Sequence, residues 1–266
     1  MKRTLCMLLV VLTMPALIGL RAQDFALEQL EASPRHHEWV TVQAGDRTVH
    51  SFVAFPEVNE PAPAVLVIHE NRGLTDWVRS FADQIAAAGY IAVAPDLLSE
   101  FDAEHERTSE FANSDAARDA LYQLDPDQIT SDLHAVRAYA AGLSSSDGTT
   151  AVMGFCWGGA QTFRFATNSP DVAAALVFYG SPPESGFENI AAPVYGFYGE
   201  DDERINATIP ETEEIMEELD KTYEVVIYDG AGHAFMRSGD DPEGSAENRA
   251  ARDASWDRLE GILSGL

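Results

Sequence analysis

The sequence predicts an α/β fold, a mostly parallel, doubly wound sheet with helices on both faces. Three observations predict it. Short apolar segments alternate with longer amphipathic ones along the chain, as strands joined by crossover helices do. The run Ala64-Val65-Leu66-Val67-Ile68 is apolar at every position, as a strand covered on both faces must be. Two amphipathic segments stop at a glycine, Gly89 and Gly142, the residue that most readily ends a helix.

Each element follows in order. Residues 39–42 and 49–55 form an antiparallel pair around the turn at Gly45-Asp46. After a proline-rich connection comes the strand 64–68, then a helix over 77–88 and a second buried strand over 90–94. Residues 99–125 are polar and acidic, and read as a helical excursion near the functional site. A helix over 128–141 places Leu133, Val136, Arg137 and Ala140 on one docking face. Strands at 149–153, 173–178, 193–198 and 223–228 alternate with helices at roughly 157–168 and 207–220, and a last helix spans about 246–263. No internal repeat and no linker divides residues 23–266, which read as one domain.

Residues 1–22 read as a secretory signal peptide. Lys2 and Arg3 precede an apolar stretch, and the polar chain opens after Ala22. The expected location is therefore periplasmic or extracellular, with no membrane span retained after cleavage. The chain has two cysteines, and Cys6 would leave with the signal. Cys156 would then be the only thiol, so no internal disulfide can form, and a single thiol in an oxidising compartment needs a reason. With 17 basic against 44 acidic residues, the net charge is −27. Such a surface repels phosphate, which argues against nucleic acid or an anionic membrane as partner. The protein reads as a monomer acting on a small molecule.

The chemistry collects in loops beyond the carboxyl ends of strands, where open α/β sheets carry their working residues. Gly154-Phe155-Cys156-Trp157-Gly158 follows an apolar run and has the form of a nucleophile elbow, in which flanking glycines make room for a sharp strand-to-helix turn. Gly199-Glu200-Asp201-Asp202 ends one later strand, and Asp229-Gly230-Ala231-Gly232-His233 ends the last. Nucleophile, acid and histidine thus occur in the chain order of an α/β-hydrolase. A free thiol is mostly protonated at neutral pH, so Cys156 needs a base to take its proton. His233 fits that role, and Asp201 and Asp202 compete to orient it. The helix starting at Trp157 favours thiolate through its positive end. The backbone N–H of Trp157, with that of Asn71, would hold the oxyanion. His36, His37, His50, His105 and His134 have no metal-ligand spacing and read as surface or packing residues, so no metal is expected.

The sequence resembles the dienelactone hydrolase family of α/β-hydrolases over residues 39–263. The segments Val67-Ile68-His69-Glu70-Asn71-Arg72-Gly73, Val93-Ala94-Pro95-Asp96-Leu97, Met153-Gly154-Phe155-Cys156-Trp157-Gly158-Gly159 and Gly230-Ala231-Gly232-His233-Ala234-Phe235 carry the likeness. The resemblance implies a Cys156-His233-Asp202 triad that cleaves a lactone or ester without a cofactor. It favours Asp202 over Asp201, because Gly199, Asp202 and Ile205 match the family's spacing. It implies that Glu70 contacts the resting cysteine and moves on substrate binding, and that Arg237 binds a substrate carboxylate. Read without the family, Glu70 would pair with Arg72 or His69, and Arg237 with Asp240 or Asp241. At the position of the family's second substrate arginine stands Glu100, which is expected to repel a carboxylate. Acyl transfer or thioester cleavage on the same triad, and a non-catalytic thiol-bearing binding protein, are the competing readings.

Overall fold

The computed structural model describes residues 24–266, so the expected signal 1–22 lies outside the described residues. Eight strands form one sheet: β1 (His37–Ala44), β2 (Arg47–Ala54), β3 (Ala62–Ile68), β4 (Ile91–Pro95), β5 (Ser146–Phe155), β6 (Ala174–Phe178), β7 (Val194–Gly199) and β8 (Tyr223–Tyr228). Their spatial order is β1-β2-β4-β3-β5-β6-β7-β8. The first two strands pair antiparallel, with Gly45 at φ +64 making the tight turn, and β2 lies antiparallel on β4. From β4 to β8 every pairing is parallel.

Side-chain alternation along β3 shows why its sequence had to be apolar throughout. Ala64, Leu66 and Ile68 enter one core, and Val65 and Val67 enter the other. The first core packs beneath α3 (Ser114–Leu121), α4 (Pro126–Ala141), α5 (Trp157–Ala166) and α7 (Ile209–Glu218). The second packs beneath α1 (Asp24–Ala32), α2 (Asp76–Ala87), α8 (Phe235–Asp240) and α9 (Ala246–Leu263). Helices therefore cover both faces, as expected. None of the helices in the described residues is long and apolar enough to cross a membrane.

The departures from expectation are local. Helix α1 was not anticipated. Its Ala26 and Leu30, one turn apart, are too few to make a periodic signal, and they are buried against the second core. The helix expected over 207–220 begins at Ile209 instead, because Pro210 has no N–H to give and suits a first turn. A separate turn of helix, α6 (Glu203–Asn206), precedes it. The excursion 99–125 is helical only at a short 3₁₀ turn, Thr108–Glu110, and at α3. Asp96 ties this excursion to the sheet, accepting from both the Thr108 N–H and its hydroxyl at 2.7 Å. The same hydroxyl accepts from the Leu74 N–H at 3.0 Å, linking the excursion to the loop after β3.

The approach of α5 to β3 fixes where the chemistry can sit. A Cβ on Gly158 would lie 2.3 Å from the His69 carbonyl oxygen and 2.5 Å from that of Ile68. Both are backbone atoms of a central strand end and cannot yield. Gly158→Ala is therefore expected to destabilise the fold by about 1–3 kcal/mol, the range for overpacking a close-packed site. A urea midpoint unchanged from wild type would show that the two elements are not held this closely.

Candidate active site

Four loops meet at the carboxyl edge of the sheet. The first is the elbow between β5 and α5. Cys156 sits at φ 56 and ψ −113, a strained conformation for a residue with a side chain. Gly154 explains how the turn can close, because a Cβ there would lie 2.3 Å from the Gly158 carbonyl oxygen. The thiol is free and half-buried. Trp157 is the first residue of α5, so its N–H lacks a partner within the helix and points away from it.

The loops after β7 and β8 supply the acid and the imidazole. His233 Nδ1–H donates to Asp202 Oδ2 at 2.5 Å. That leaves Nε2 for the sulfur. Asp202 is buried, whereas Asp201 is exposed, so the competition between them resolves to Asp202. Burial lowers the pKa of His233, but hydrogen bonding to Cys156 and Asp202, and the charge on each, outweigh it and lift the value to about 9. The imidazole thus holds a proton at neutral pH. Its partners are the sulfur on one side and the carboxylate on the other.

The loop after β3 is braced by its histidine. His69 is fully buried and stacks on Trp157, with ring centroids 5.5 Å apart and planes 7° apart. Its Nδ1–H donates to the Glu70 carbonyl at 2.8 Å, and Nε2 accepts from the Leu97 N–H at 3.3 Å. Burial pushes its pKa down, which keeps the ring neutral and able to do both. Asn71, the expected second oxyanion donor, follows in this loop, and its N–H has no acceptor among the described residues.

Glu70 and Arg237 meet each other. The Arg237 Nε donates to Glu70 Oε2 at 2.8 Å, and both side chains are largely buried. This overturns the pairings read from local sequence. Asp240 is held instead by Arg252 at 2.9 Å, Trp77 and Gln84. The hydrogen-bond partner of Glu70 is thus the Arg237 guanidinium. The Glu100 carboxylate accepts from the Thr48 N–H at 2.9 Å, and that bond, with Arg47 nearby, lowers its pKa. The carboxylate is thereby fixed on the β1–β2 hairpin and stays an anion.

One residue of the site was missed. Tyr179, directly after β6, is fully buried with its ring edge-to-face on His233 at 5.1 Å. It has φ +41, and with Cys156 and Ala234 makes three of the five non-glycine residues at positive φ among the described residues. Only its place after an apolar strand marked it in the sequence. The scattered histidines behave as read: His37 pairs with Asp83 and His105 with Asp102. Among the described residues, no group of three His, Cys, Asp or Glu side chains is arranged to hold a metal.

Comparison with known proteins identifies the family. The dienelactone hydrolase family profile matches residues 49–264, and the chain belongs to that family. A protein of Methylorubrum extorquens named "Putative carboxymethylenebutenolidase" is 31% identical over 83% of this chain and 78% of its own. The crystal structure of a "Putative Dienelactone Hydrolase" from Klebsiella pneumoniae has a TM-score of 0.76 at 23% identity, covering 88% of this chain and all of that one. A dienelactone hydrolase-like promiscuous phosphotriesterase from metagenomic libraries has a TM-score of 0.73 at 22% identity, over 88% and 99% of the two chains. The fold is the α/β-hydrolase fold.

The raised pKa of His233 makes stability depend on pH with a definite sign. Folded protein keeps the proton up to about pH 9, whereas the unfolded chain releases it near 6.5. The stabilisation is complete below pH 6.5 and is lost as pH rises towards 9. Relative to His233→Gln, the wild-type Tm should therefore fall across that window in calorimetry. A constant difference would mean that the proton is not held.

Proposed function

From membership of the dienelactone hydrolase family, we propose that this chain hydrolyses a carboxylic ester or lactone through Cys156, His233 and Asp202. The observation that carries the reading is the line of contacts from Asp202 through His233 to a strained, half-buried thiol. Carboxymethylenebutenolidase, the activity in the name of the Methylorubrum relative, is a lactone hydrolysis and supports the same class.

The proposed steps follow from where the protons are. In the resting site the proton of Cys156 lies on His233 Nε2, and the elbow helix and the imidazolium stabilise the thiolate. Sulfur attacks the carbonyl carbon, and the oxyanion is held by the N–H groups of Trp157 and Asn71. The C–O bond to the leaving alkoxide breaks as His233 returns a proton to it, leaving a thioester on Cys156. In a lactone the alcohol stays attached to the acyl chain. Water then gives a proton to His233 and attacks the thioester. The C–S bond breaks, which releases the acid and restores the thiolate-imidazolium pair. Asp202 keeps Nδ1–H fixed throughout, so Nε2 always faces the reacting atoms. We also propose that residues 1–22 direct export and are removed, on their charged-then-apolar pattern. Amino-terminal sequencing of the exported protein would overturn this if it began at Met1.

Hydrolysis of p-nitrophenyl acetate tests the proposal. Cys156→Ala should lose nearly all activity, and Asp202→Asn should lower kcat on the order of 10³-fold while leaving the fold intact. Mass spectrometry of quenched wild type should find one acyl group on Cys156. Wild-type turnover no faster than that of Cys156→Ala would rule the proposed hydrolysis out.

A further inference from the structure

We propose that Thr108 is a positioning residue for the oxyanion site: its hydroxyl, held by Asp96, fixes the exit of the turn that presents the Asn71 N–H. The inference rests on the oxyanion role proposed above for that N–H. The turn is closed by the Gly73 N–H, which donates to the Glu70 carbonyl at 3.3 Å. Asn71 stands second in it, a position whose N–H takes no part in closing a β-turn. That N–H is left for a ligand, and its direction is set by how the two ends of the turn are held.

Both ends are held by consecutive residues beyond β4. At the entry, the Leu97 N–H donates to His69 Nε2 at 3.3 Å, and His69 Nδ1–H donates to the Glu70 carbonyl at 2.8 Å. At the exit, the Leu74 N–H donates to the Thr108 hydroxyl oxygen at 3.0 Å. That hydroxyl donates in turn to Asp96 Oδ1, and the Thr108 N–H donates to Oδ2, both at 2.7 Å. The threonine also fills the space beside Gly73, which has φ +77, so that a Cβ there would overlap both its hydroxyl and its methyl. The turn cannot move towards the excursion without meeting this side chain, nor away from it without losing the Leu74 bond.

Asp96 makes the hold strong. It is buried, forms no salt bridge among the described residues, and accepts otherwise from the Leu98 N–H at 3.1 Å. A carboxylate taken out of water without a cation needs good donors, and Thr108 supplies two of the three. The side chain must therefore accept one bond, donate another and fill the space at Gly73. Valine keeps the shape and loses both hydroxyl bonds, whereas serine keeps both bonds and loses only a methyl. Among the described residues no hydrogen bond joins Thr108 to Cys156, His233 or Asp202, so its effect on the chemistry must pass through the turn.

Two reactions of Cys156 separate positioning from a general loss of structure. Acylation by p-nitrophenyl acetate passes through an oxyanion. Alkylation by iodoacetamide does not, because the sulfur displaces iodide from carbon in one step. In Thr108→Val the first-turnover release of p-nitrophenol, per folded molecule, should slow by about 10- to 100-fold while the alkylation rate stays unchanged, since a misplaced oxyanion donor affects only the first reaction. Thr108→Ser should restore acylation. Thr108→Ala removes the same hydroxyl with less volume and should give the same contrast, should valine prevent folding. Acylation unchanged without the hydroxyl, or both reactions slowed alike, overturns the proposal. Amide hydrogen exchange over residues 70–74 reads the turn without any ester. It should quicken in Thr108→Val and not in Thr108→Ser, and no change overturns the proposal. If exchange responds while wild-type Cys156 forms no thioester, the proposed hydrolysis fails and the hold of Thr108 on the turn stands.

Discussion

The site depends on one backbone conformation, that of Cys156 at φ 56 and ψ −113. Such a conformation costs roughly 1–3 kcal/mol and persists only where its surroundings allow nothing else. Here the surroundings are backbone atoms. Gly158 lies against the ends of β3, Gly154 against Gly158, and Gly159 and Gly180 against one another. Fully buried Phe155 precedes the cysteine, and nearly buried Trp157 follows it. The elbow can relax only by separating α5 from the centre of the sheet, which would open both cores. The strain is therefore supported by the hydrophobic burial of the whole domain and not by any contact of the thiol.

The same packing sets the electrostatics. In a chain with so large an acidic excess, the carboxylates brought inside are those that meet a cation or several donors. Asp83 takes Arg35 and His37, Asp132 takes Arg47, and Asp240 takes Arg252. At the site, Glu70 takes Arg237 and Asp202 takes His233. Buried pairs add little net stability, but losing one partner strands the other in a medium that solvates it poorly. Each pair thus fixes geometry more than it adds affinity. The imidazole is the exception that titrates, because sulfur and carboxylate both favour its charged form.

The sheet and the proposed triad were legible because both follow from local rules. A continuous apolar run requires two covering layers, which β3 has, and glycines on both sides of a cysteine after a strand require an elbow. The resemblance to the family also favoured Asp202 over Asp201, and the carboxylate that meets His233 is that one. What was not legible depends on which loops meet. Arg237 and Glu70 are 167 residues apart in the chain, and nothing in either segment announces the other. Local proximity suggested Asp240 and Arg72 instead, and both readings failed because the topology brings α8 over the loop after β3. Tyr179 was hidden for a related reason. A tyrosine after an apolar strand looks like core, and only the three-dimensional site shows that its hydroxyl lacks a partner among the described residues.

The Glu70–Arg237 pair bears directly on what the site can select. An arginine that is to bind a substrate carboxylate must be available, and this one already donates to a largely buried glutamate. Separating such a pair costs on the order of 3 kcal/mol unless something replaces the lost partner. An incoming carboxylate can replace it, since it offers Arg237 the same geometry, but Glu70 must then find new donors or take up a proton. A neutral ester offers neither remedy, so it would have to bind with the pair intact. The pair thus makes any use of Arg237 conditional on a charged substrate, and it couples that use to the position of Glu70. Under the proposed function, specificity would turn on the cost of rearranging an existing ion pair, and not on whether an arginine is present.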